Sequence, residues 1–382
     1  MGATSKILLT ASVLRKGGHL VDIPMNDVSR RLRRHPSIAA AVARVIKSGR
    51  FLHGPEQEAF EAELATYLGR RFCVGVASGT DALELAIRVA DRSRGGPVVT
   101  AANAGGYTTS ACRRVGVPMR FADVSHETQC LTPETVQPII AGASVLVVTH
   151  LYGRVADAAA LKTLCEAHGV ALVEDCAQAL GGGPPAARAG SFGDLAAVSF
   201  YPTKNLGALG DGGAVLTSSP EHDATLRSLR QYGWSEKYVV ALTGGVNSRL
   251  GEIQAAVLRA QLPLLDAMND RRRQIIRNYR GAVSRPERID LLEANEPDHA
   301  GHLAVALVTC RDQIRAQLAD QGVATDIHYP VPDHRQPAFT ADYGHFDLPV
   351  TERSAAEVLS LPCFPELTDQ EVQHVCRALS QL

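Results

Sequence analysis

The sequence predicts an α/β fold built on a largely parallel sheet, and two observations indicate this class. Between residues 72 and 217, short apolar runs typical of buried strands alternate with segments that carry the apolar stripe of a helix. The polar residues Ser78, Asn103, Asp175 and Lys204 each fall at or just after the end of an apolar run. Because ligands of parallel sheets bind at the carboxyl ends of the strands, we expect a site at that edge.

The composition is that of an ordinary globular protein. The chain has 382 residues, of which 45% are hydrophobic and 21% charged, and its net charge is −1 at pH 7. The length suits two domains, and the charge predicts no nucleic-acid partner. No apolar run reaches the roughly 18 residues of a membrane span, and no signal peptide is expected, so we predict a cytoplasmic protein. The eight cysteines form no CxxC pair, which predicts reduced thiols and no metal site.

The elements follow in order. Residues 1–20 are predicted to be a tail, Ser29 to Ser48 two helices broken at Pro36, and Gly54-Pro55 the start of a helix that Gly69 ends. The predicted strands are 72–77, 97–101, 119–123, 145–153, 170–179, 195–200 and 213–217. The predicted helices of this part are 81–90, one after the loop that holds Tyr107, 156–168, 220–230, 249–262 and 265–280, with a loop at 239–245.

The pattern of predicted strands and helices changes towards the C-terminus. A strand at 302–310, a helix that Gly322 ends and a strand at 323–330 predict a small α+β domain. We place the boundary near residue 270, which gives a large domain at 21–270 and a small domain at 271–382.

Lys204 stands in a tight connection between the runs LAAVSF and GAVLT, with four glycines close behind it. A lysine held between two strands can condense with an aldehyde, and the glycines allow a ligand to come close. The alternative is an ordinary solvated loop lysine.

Two further segments carry candidate chemistry. Ser78-Gly79-Thr80 links a strand to a helix, which offers free backbone N–H groups to a phosphate, although a simple capped turn fits equally well. Asp175 closes an apolar strand beside Glu174, and two buried carboxylates need partners. A protonated ring nitrogen is one such partner for Asp175.

Five segments in this order resemble the DegT/DnrJ/EryC1/StrS family of sugar aminotransferases: SGTDALELAI, EDCAQA, SFYPTKNLGALGDGGA, RQYGW and GVNSRLGEIQAA. The resemblance runs from about residue 21 to the C-terminus. It implies the type I fold of aminotransferases that depend on pyridoxal 5'-phosphate (PLP), with a large mixed-sheet domain, mostly parallel, and a small C-terminal α+β domain.

The resemblance also implies roles for single residues. Lys204 would bond PLP and shuttle protons, and Asp175 would hold the protonated ring nitrogen. The other expected cofactor contacts are Gln178 to the ring oxygen, Tyr107 on the ring face, Gly79, Thr80 and Ser199 at the phosphate, and Asn247 at the phosphate of the neighbouring subunit. That last contact implies a homodimer with shared active sites.

The segments NAGGYTT, RQYGW and DIHYPVPDHRQPAF are most similar to the branch that aminates nucleotide-linked 3-keto-6-deoxyhexoses. This implies a sugar pocket lined by Tyr201, His328 and Tyr329, with Tyr238 of the partner subunit. His328 as a hydrogen-bonded interface histidine is an equal alternative. The expected reaction moves the amino group of L-glutamate to a keto sugar, dTDP-linked by family habit, in deoxyaminosugar biosynthesis for a natural product such as an antibiotic.

Alternative substrates and alternative protein classes differ in how well they fit the sequence. A 4-keto-6-deoxyhexose substrate stays open, as does a non-catalytic PLP-binding regulatory protein, although intact Lys204, Asp175 and Gln178 argue against the latter. A dehydratase branch of the family has histidine in place of the lysine, and Lys204 argues against that branch. A nicotinamide-dependent dehydrogenase is disfavoured because no G-x-G-x-x-G follows the first strand.

Overall fold

The computed structural model describes residues 22–91, 95–294 and 297–382, so the predicted tail lies outside the described residues. A mixed seven-stranded sheet forms the centre, in the order β1-β7-β6-β5-β4-β2-β3. Strand β7 runs antiparallel to both neighbours, and the other adjacent pairs are parallel. The predicted class is confirmed. The strands are β1 (Phe72–Val76), β2 (Val98–Ala101), β3 (Met119–Ala122), β4 (Val145–Thr149), β5 (Ala171–Asp175), β6 (Leu195–Ser199) and β7 (Gly213–Thr217).

Helices cover both faces of this sheet, which explains why its strands are apolar on both sides. The breaks at Pro36 and Gly54-Pro55 fall where the sequence predicts them. The helices are α1 (Val28–Arg34), α2 (Ser37–Ser48), α3 (Pro55–Tyr67), α4 (Gly79–Asp91), α5 (Tyr107–Val115), α6 (Pro133–Val136), α7 (Ala158–His168), α8 (Pro220–Leu229), α9 (Glu252–Gln261), α10 (Leu265–Ala282), α11 (Arg311–Asp320), α12 (Thr340–Tyr343), α13 (Pro349–Glu357) and α14 (Asp369–Ser380).

Helix α3 begins on a carboxylate from a distant part of the chain. Both Glu252 oxygens accept backbone N–H groups of the first turn, from Gly54 at 3.1 Å, Glu56 at 3.0 Å and Gln57 at 2.8 Å. Glu252 is 1% exposed. These are the donors that a helix start leaves without partners, so Glu252 fixes α3 to the start of α9.

A smaller antiparallel sheet, β10-β11-β12, carries the second core, together with α10, α11 and α14. Ile23 packs into this core and bridges to Val323, so the start of the described chain joins the small sheet. Helix α10 is continuous across residue 270. The domain boundary near that residue stays a prediction. The small strands are β10 (Ile289–Leu291), β11 (Ala304–Val308) and β12 (Val358–Leu361).

Four local predictions need correction. Residues 323–330 form no strand, because they pair only at isolated bridges and Asp326 exchanges both backbone hydrogen bonds with Ser360 alone. The predicted loop at 239–245 begins as a strand, β9 (Val239–Val240), paired with β8 (Trp234–Glu236). Helix α9 starts at Glu252 rather than 249, after extended Gly251. Tyr107 is the first residue of α5 rather than part of a loop.

The strands predicted at 145–153 and 170–179 stop at Thr149 and Asp175. Polar side chains therefore stand at the strand ends themselves. None of the eight cysteines forms a disulfide, and six of them are buried. In the part of the chain that the structure describes, no helix combines the length and the apolar character that a membrane span requires.

Candidate active site

The carboxyl edge of the large sheet brings the predicted site residues together. Strands β1, β5 and β6 point the same way, and Gly79, Asp175, Ser199 and Lys204 lie at or just beyond their ends. Asn103, also at this edge, instead donates its side-chain N–H to the backbone oxygen of Gln129 at 2.9 Å. We therefore regard Asn103 as structural.

The residue after Lys204 anchors the loop. Asn205 is 3% exposed and donates its amide N–H to Asn269 Oδ1 at 2.7 Å and to the Ala300 oxygen at 2.9 Å. Its Oδ1 lies 2.7 Å from Nδ1 of the buried His302, which must be the donor because the amide oxygen can only accept. Asn205 thus fixes the lysine loop to α10 and to the segment before β11.

Lys204 and Asp175 influence each other electrostatically. Burial lowers the pKa of Lys204 to about 8, and the charge of Asp175 opposes that shift. Burial also raises the pKa of Asp175, against an N–H from Ala177 at 3.0 Å and the charge of Lys204. Among the described residues, Nζ of Lys204 has no hydrogen-bond partner. Lys204 is half-buried rather than fully exposed.

Glu174, next to Asp175, has a purely structural environment. It is fully buried and accepts N–H groups from Gly190 at 2.8 Å, Phe192 at 2.8 Å and Gly193 at 2.6 Å. His150 Nε2 lies 3.0 Å away and donates, because a backbone N–H already bonds its Nδ1. Burial by itself raises the pKa of Glu174, but these hydrogen bonds outweigh it and lower the pKa.

Cys176 Sγ, His150 and Glu174 together could hold a metal by distance alone, since their ligand atoms lie within 4.8 Å of one another. However, both His150 nitrogens and both Glu174 oxygens are engaged in hydrogen bonds within the protein. Burial raises the pKa of the Cys176 thiol well above its usual value. These three side chains therefore have a structural role in the core next to the site.

Gln178 has a fixed amide orientation. Its Oε1 accepts the backbone N–H of Tyr152 at 2.7 Å, so its NH₂ group points to the Tyr329 hydroxyl, 3.1 Å away. The Tyr329 ring stands edge-on to Tyr107, with centroids 6.1 Å apart. Gln178, Tyr329 and Tyr107 therefore form one wall, in which Gln178 donates to Tyr329.

The start of α4 is where the sequence predicts a phosphate site. The backbone N–H groups of Gly79 and Thr80 have no hydrogen-bond partner in the described ranges. Ser199 packs directly on this turn, because a Cβ on Gly79 would lie 2.5 Å from Ser199 Cβ and 2.9 Å from its Oγ. Two free N–H groups and a hydroxyl thus meet at a helix N-terminus, the arrangement that binds phosphate.

Only some of the expected sugar-pocket residues lie close to Lys204. Lys204 contributes to lowering the pKa of His328, which burial lowers first, so the two side chains are close. His328 Nδ1 lies 2.9 Å from Ser360 Oγ, which fits the alternative of a hydrogen-bonded histidine equally well. Tyr201 is 47% exposed, and its backbone oxygen accepts the N–H of Lys204 at 2.8 Å.

Two predicted residues, Tyr238 and Asn247, are exposed in the single chain. Tyr238 is 74% exposed on the β8–β9 hairpin, where its ring meets Trp234 at 5.4 Å between centroids. Asn247 is exposed, and its neighbour Ser248 bonds Asp81 Oδ2 at 2.7 Å. Both are available to a neighbouring molecule.

Residues 33–380 match the model of the DegT/DnrJ/EryC1/StrS aminotransferase family. The chain belongs to this family.

The relatives include named sugar transaminases and a protein named for erythromycin biosynthesis. The "erythromycin biosynthesis sensory transduction protein EryC1" of Saccharopolyspora erythraea is 43% identical over 94% of this chain and 99% of its own. The dTDP-3-amino-3,4,6-trideoxy-alpha-D-glucose transaminase of Streptomyces venezuelae is 41% identical over 90% of this chain and 91% of its own. The structure of DesV from S. venezuelae, solved with a ketimine intermediate, superposes with a TM-score of 0.89 at 39% identity and covers 94% of this chain and 98% of DesV.

The chain is a PLP-dependent aminotransferase, as the sequence predicts. Its own residues fit the cofactor. Lys204 has a pKa of about 8 and an amine without a hydrogen-bond partner among the described residues, and Asp175 is a buried carboxylate close enough to sense it. The α4 turn has N–H groups that no described residue accepts, at the place where the phosphate is expected.

Several residues of the site escaped the sequence analysis. Thr149 Oγ1 donates to Asp175 Oδ2 at 3.3 Å, and Tyr152 orients Gln178. The polar pair Thr149-His150 directly after a strongly apolar strand was an available signal. Asn205 and His302 are 97 positions apart, and nothing in the sequence predicts their contact.

Proposed function

We propose that this enzyme transfers the amino group of L-glutamate to the keto group of a dTDP-linked 3-keto-6-deoxyhexose. The observation that carries the proposal is the meeting of Lys204, Asp175 and the free α4 N-terminus at one strand edge. The sugar class is supported by the names of relatives, including a transaminase for a dTDP-3-amino sugar. The product would enter deoxyaminosugar biosynthesis for a natural product such as an antibiotic.

Bound PLP supplies an electron sink that stabilises negative charge on the carbon bearing the amino group. The chain must hold the protons around it. With a pKa of about 8, Lys204 Nζ has both protonation states available near neutral pH, so it can accept a proton from one carbon and return it to another. Asp175, as a carboxylate, would keep the ring nitrogen protonated.

The remaining residues would position the cofactor and take no part in proton transfer. Gln178 offers an N–H to the ring oxygen, and Tyr152 prevents its amide from flipping. Gly79, Thr80 and Ser199 would bind the phosphate. Asn205 holds the lysine loop so that Nζ approaches from one side only.

The proposed sugar-binding site combines the aromatic wall with residues of a second subunit. Tyr107, Tyr201, His328 and Tyr329 would contact the sugar or the cofactor ring. We propose a cytoplasmic homodimer in which Tyr238 and Asn247 complete the partner's site. Their exposure in one chain supports this arrangement, as do exposed apolar residues near them: Tyr232, Val239 and Val240 are 40%, 51% and 64% exposed.

The first experiment is an absorbance spectrum of the PLP-loaded protein before and after L-glutamate. We expect a yellow protein that bleaches with glutamate, and then amination of a 3-keto but not a 4-keto dTDP-hexose. Preference for the 4-keto isomer would overturn the regiochemistry alone. The variant Lys204→Ala should fold and not turn over, whereas Lys47→Ala, on exposed α2, should retain activity. A yellow protein without turnover on either sugar would favour the regulatory alternative.

A further inference from the structure

A cluster of three charged side chains lies buried behind the lysine loop. Arg31 comes from α1, Arg272 from α10 and Glu366 from the segment after β12; they are 2%, 1% and 8% exposed. Arg31 Nε lies 3.8 Å from Glu366 Oε1, which is an ion pair without a hydrogen bond. We refer to these residues as the arginine cluster.

The two guanidinium groups are poorly satisfied. Arg31 makes a long hydrogen bond from Nη1 to Gln261 Oε1 at 3.4 Å, and Arg272 donates from Nη1 to the Cys363 oxygen at 2.6 Å. Arg31 Nε, Arg272 Nε and Arg272 Nη2 are buried and have no acceptor among the described residues. Buried donors without acceptors are rare in folded proteins, and charged ones are the most costly.

The charges do not balance either. Two guanidinium groups share one carboxylate, which leaves a net positive charge away from solvent. Burial lowers the pKa of Arg272 to about 10, and the nearby charge of Arg31 adds to this shift, so both groups stay charged at neutral pH. An uncompensated buried charge is far more costly than a paired one.

One member of the arginine cluster faces a surface groove. Glu366 also lines a groove of about 640 Å³ between α1 and α14. Its other walls include Arg30, Arg33, His374 and Arg377, with Glu371 as the second acid. The groove therefore favours the approach of anions.

We propose that a small monovalent anion of the size and charge of chloride binds between Arg31 and Arg272. It would accept the unpartnered N–H groups and neutralise the excess charge, with Glu366 as the second counter-charge. This site is separate from the proposed phosphate site, and it does not depend on the sugar substrate.

The bound anion would support the lysine loop from behind. Gln261, which accepts from Arg31, donates its own amide N–H to the Gly207 oxygen at 2.9 Å. A Cβ on Gly207 would lie 2.8 Å from Arg31 Nη1, so the loop rests directly on this guanidinium. We therefore expect the anion to stabilise the fold rather than to take part in the reaction.

The test is the melting temperature of the full PLP-bound protein in sodium chloride or bromide against sodium gluconate at equal ionic strength. We expect a saturable rise of about 3 °C at a hundredfold excess over the dissociation constant. Arg272→Met leaves a neutral Arg31–Glu366 pair and should abolish the rise. Glu366→Gln removes the competing carboxylate and should enlarge it. Arg34→Met, an exposed arginine of the same helix, is the matched control and should keep it.

An equal melting temperature in chloride and gluconate, or a full rise in Arg272→Met, would overturn the proposal. Should the Arg272 variant not fold, a bromide-soaked crystal of the unaltered protein decides. An anomalous peak between the two guanidinium groups supports the site. A crystal with bromide at the surface and none between these groups refutes it.

Discussion

Adding one methyl group at Gly79 should weaken PLP binding without replacing any side chain that the cofactor is proposed to contact. In Gly79→Ala the new Cβ would lie 2.5 Å from Ser199 Cβ, 2.9 Å from its Oγ and 3.1 Å from its Cα. These distances are well inside van der Waals contact, so the α4 turn and the end of β6 must move apart. The proposed phosphate donors sit on the two sides of that contact.

The size of the effect follows from the donors at stake. Overpacking of this kind costs about 1–3 kcal/mol of stability. If the shift also loses one N–H bond to the charged phosphate, about 1.5–3 kcal/mol of binding disappears. The dissociation constant for PLP should therefore rise by about 10- to 100-fold.

The assay is a titration of the apo enzyme with PLP, followed by absorbance. Gly281→Ala is the matched control, because this helical glycine has no atom within 4 Å of its added Cβ. Adding Ser199→Gly to Gly79→Ala should recover part of the lost affinity, although Ser199→Gly alone should weaken binding by losing the hydroxyl. Unchanged PLP affinity in Gly79→Ala would show that the phosphate does not bind at this turn.

Three other predictions concern stability. Glu174→Ala should lower the free energy of unfolding by about 3–5 kcal/mol in urea titrations, because His150 and three backbone N–H groups lose their acceptor; a loss below about 1 kcal/mol would contradict this. Glu252→Ala should lower the free energy of unfolding by about 2–4 kcal/mol, because it removes the cap of α3. Glu252→Gln should have an intermediate stability, and two variants of equal stability would argue against the cap. Burial raises the pKa of Asp333 to about 6, above the ordinary 3.8 of the unfolded chain, so the folded protein holds this proton more tightly and its stability falls as pH rises between these values. The free energy of unfolding of the wild type, minus that of Asp333→Asn, should therefore fall by about 2 kcal/mol from pH 4 to pH 6.5, and a difference independent of pH would refute the assignment.

The sequence predicts the large sheet well because its strands are nearly uniform apolar runs. The same pattern places Asp175 and Lys204 at strand ends, since parallel strands deliver their carboxyl ends to one edge. The antiparallel direction of β7 is not visible in any local pattern, because its direction depends on how the lysine loop returns.

The contacts that finish the site are of a different kind. His328 and Tyr329 could be placed only by family resemblance, and the chain around them lacks the strand that alternation suggested. Asn205 and Glu252 act through partners far along the chain. Adjacent Glu174 and Asp175 look alike in the sequence, yet strand alternation turns one towards the 190–193 turn and the other towards Lys204.

Helix α10 determines where crossovers can be placed in chimeras of this protein with its relatives. Its first half packs Leu265 and Met268 into the core beneath the lysine loop, and its second half packs Ile275 and Tyr279 into the core of the small sheet. Ile23 belongs to that second core as well. A chimera joined at a single crossover inside α10 would interrupt this helix and separate Ile23 from its core, whereas two crossovers, after Ile23 and before Leu265, would keep the small core whole and leave Leu265 and Met268 to pack on a foreign core.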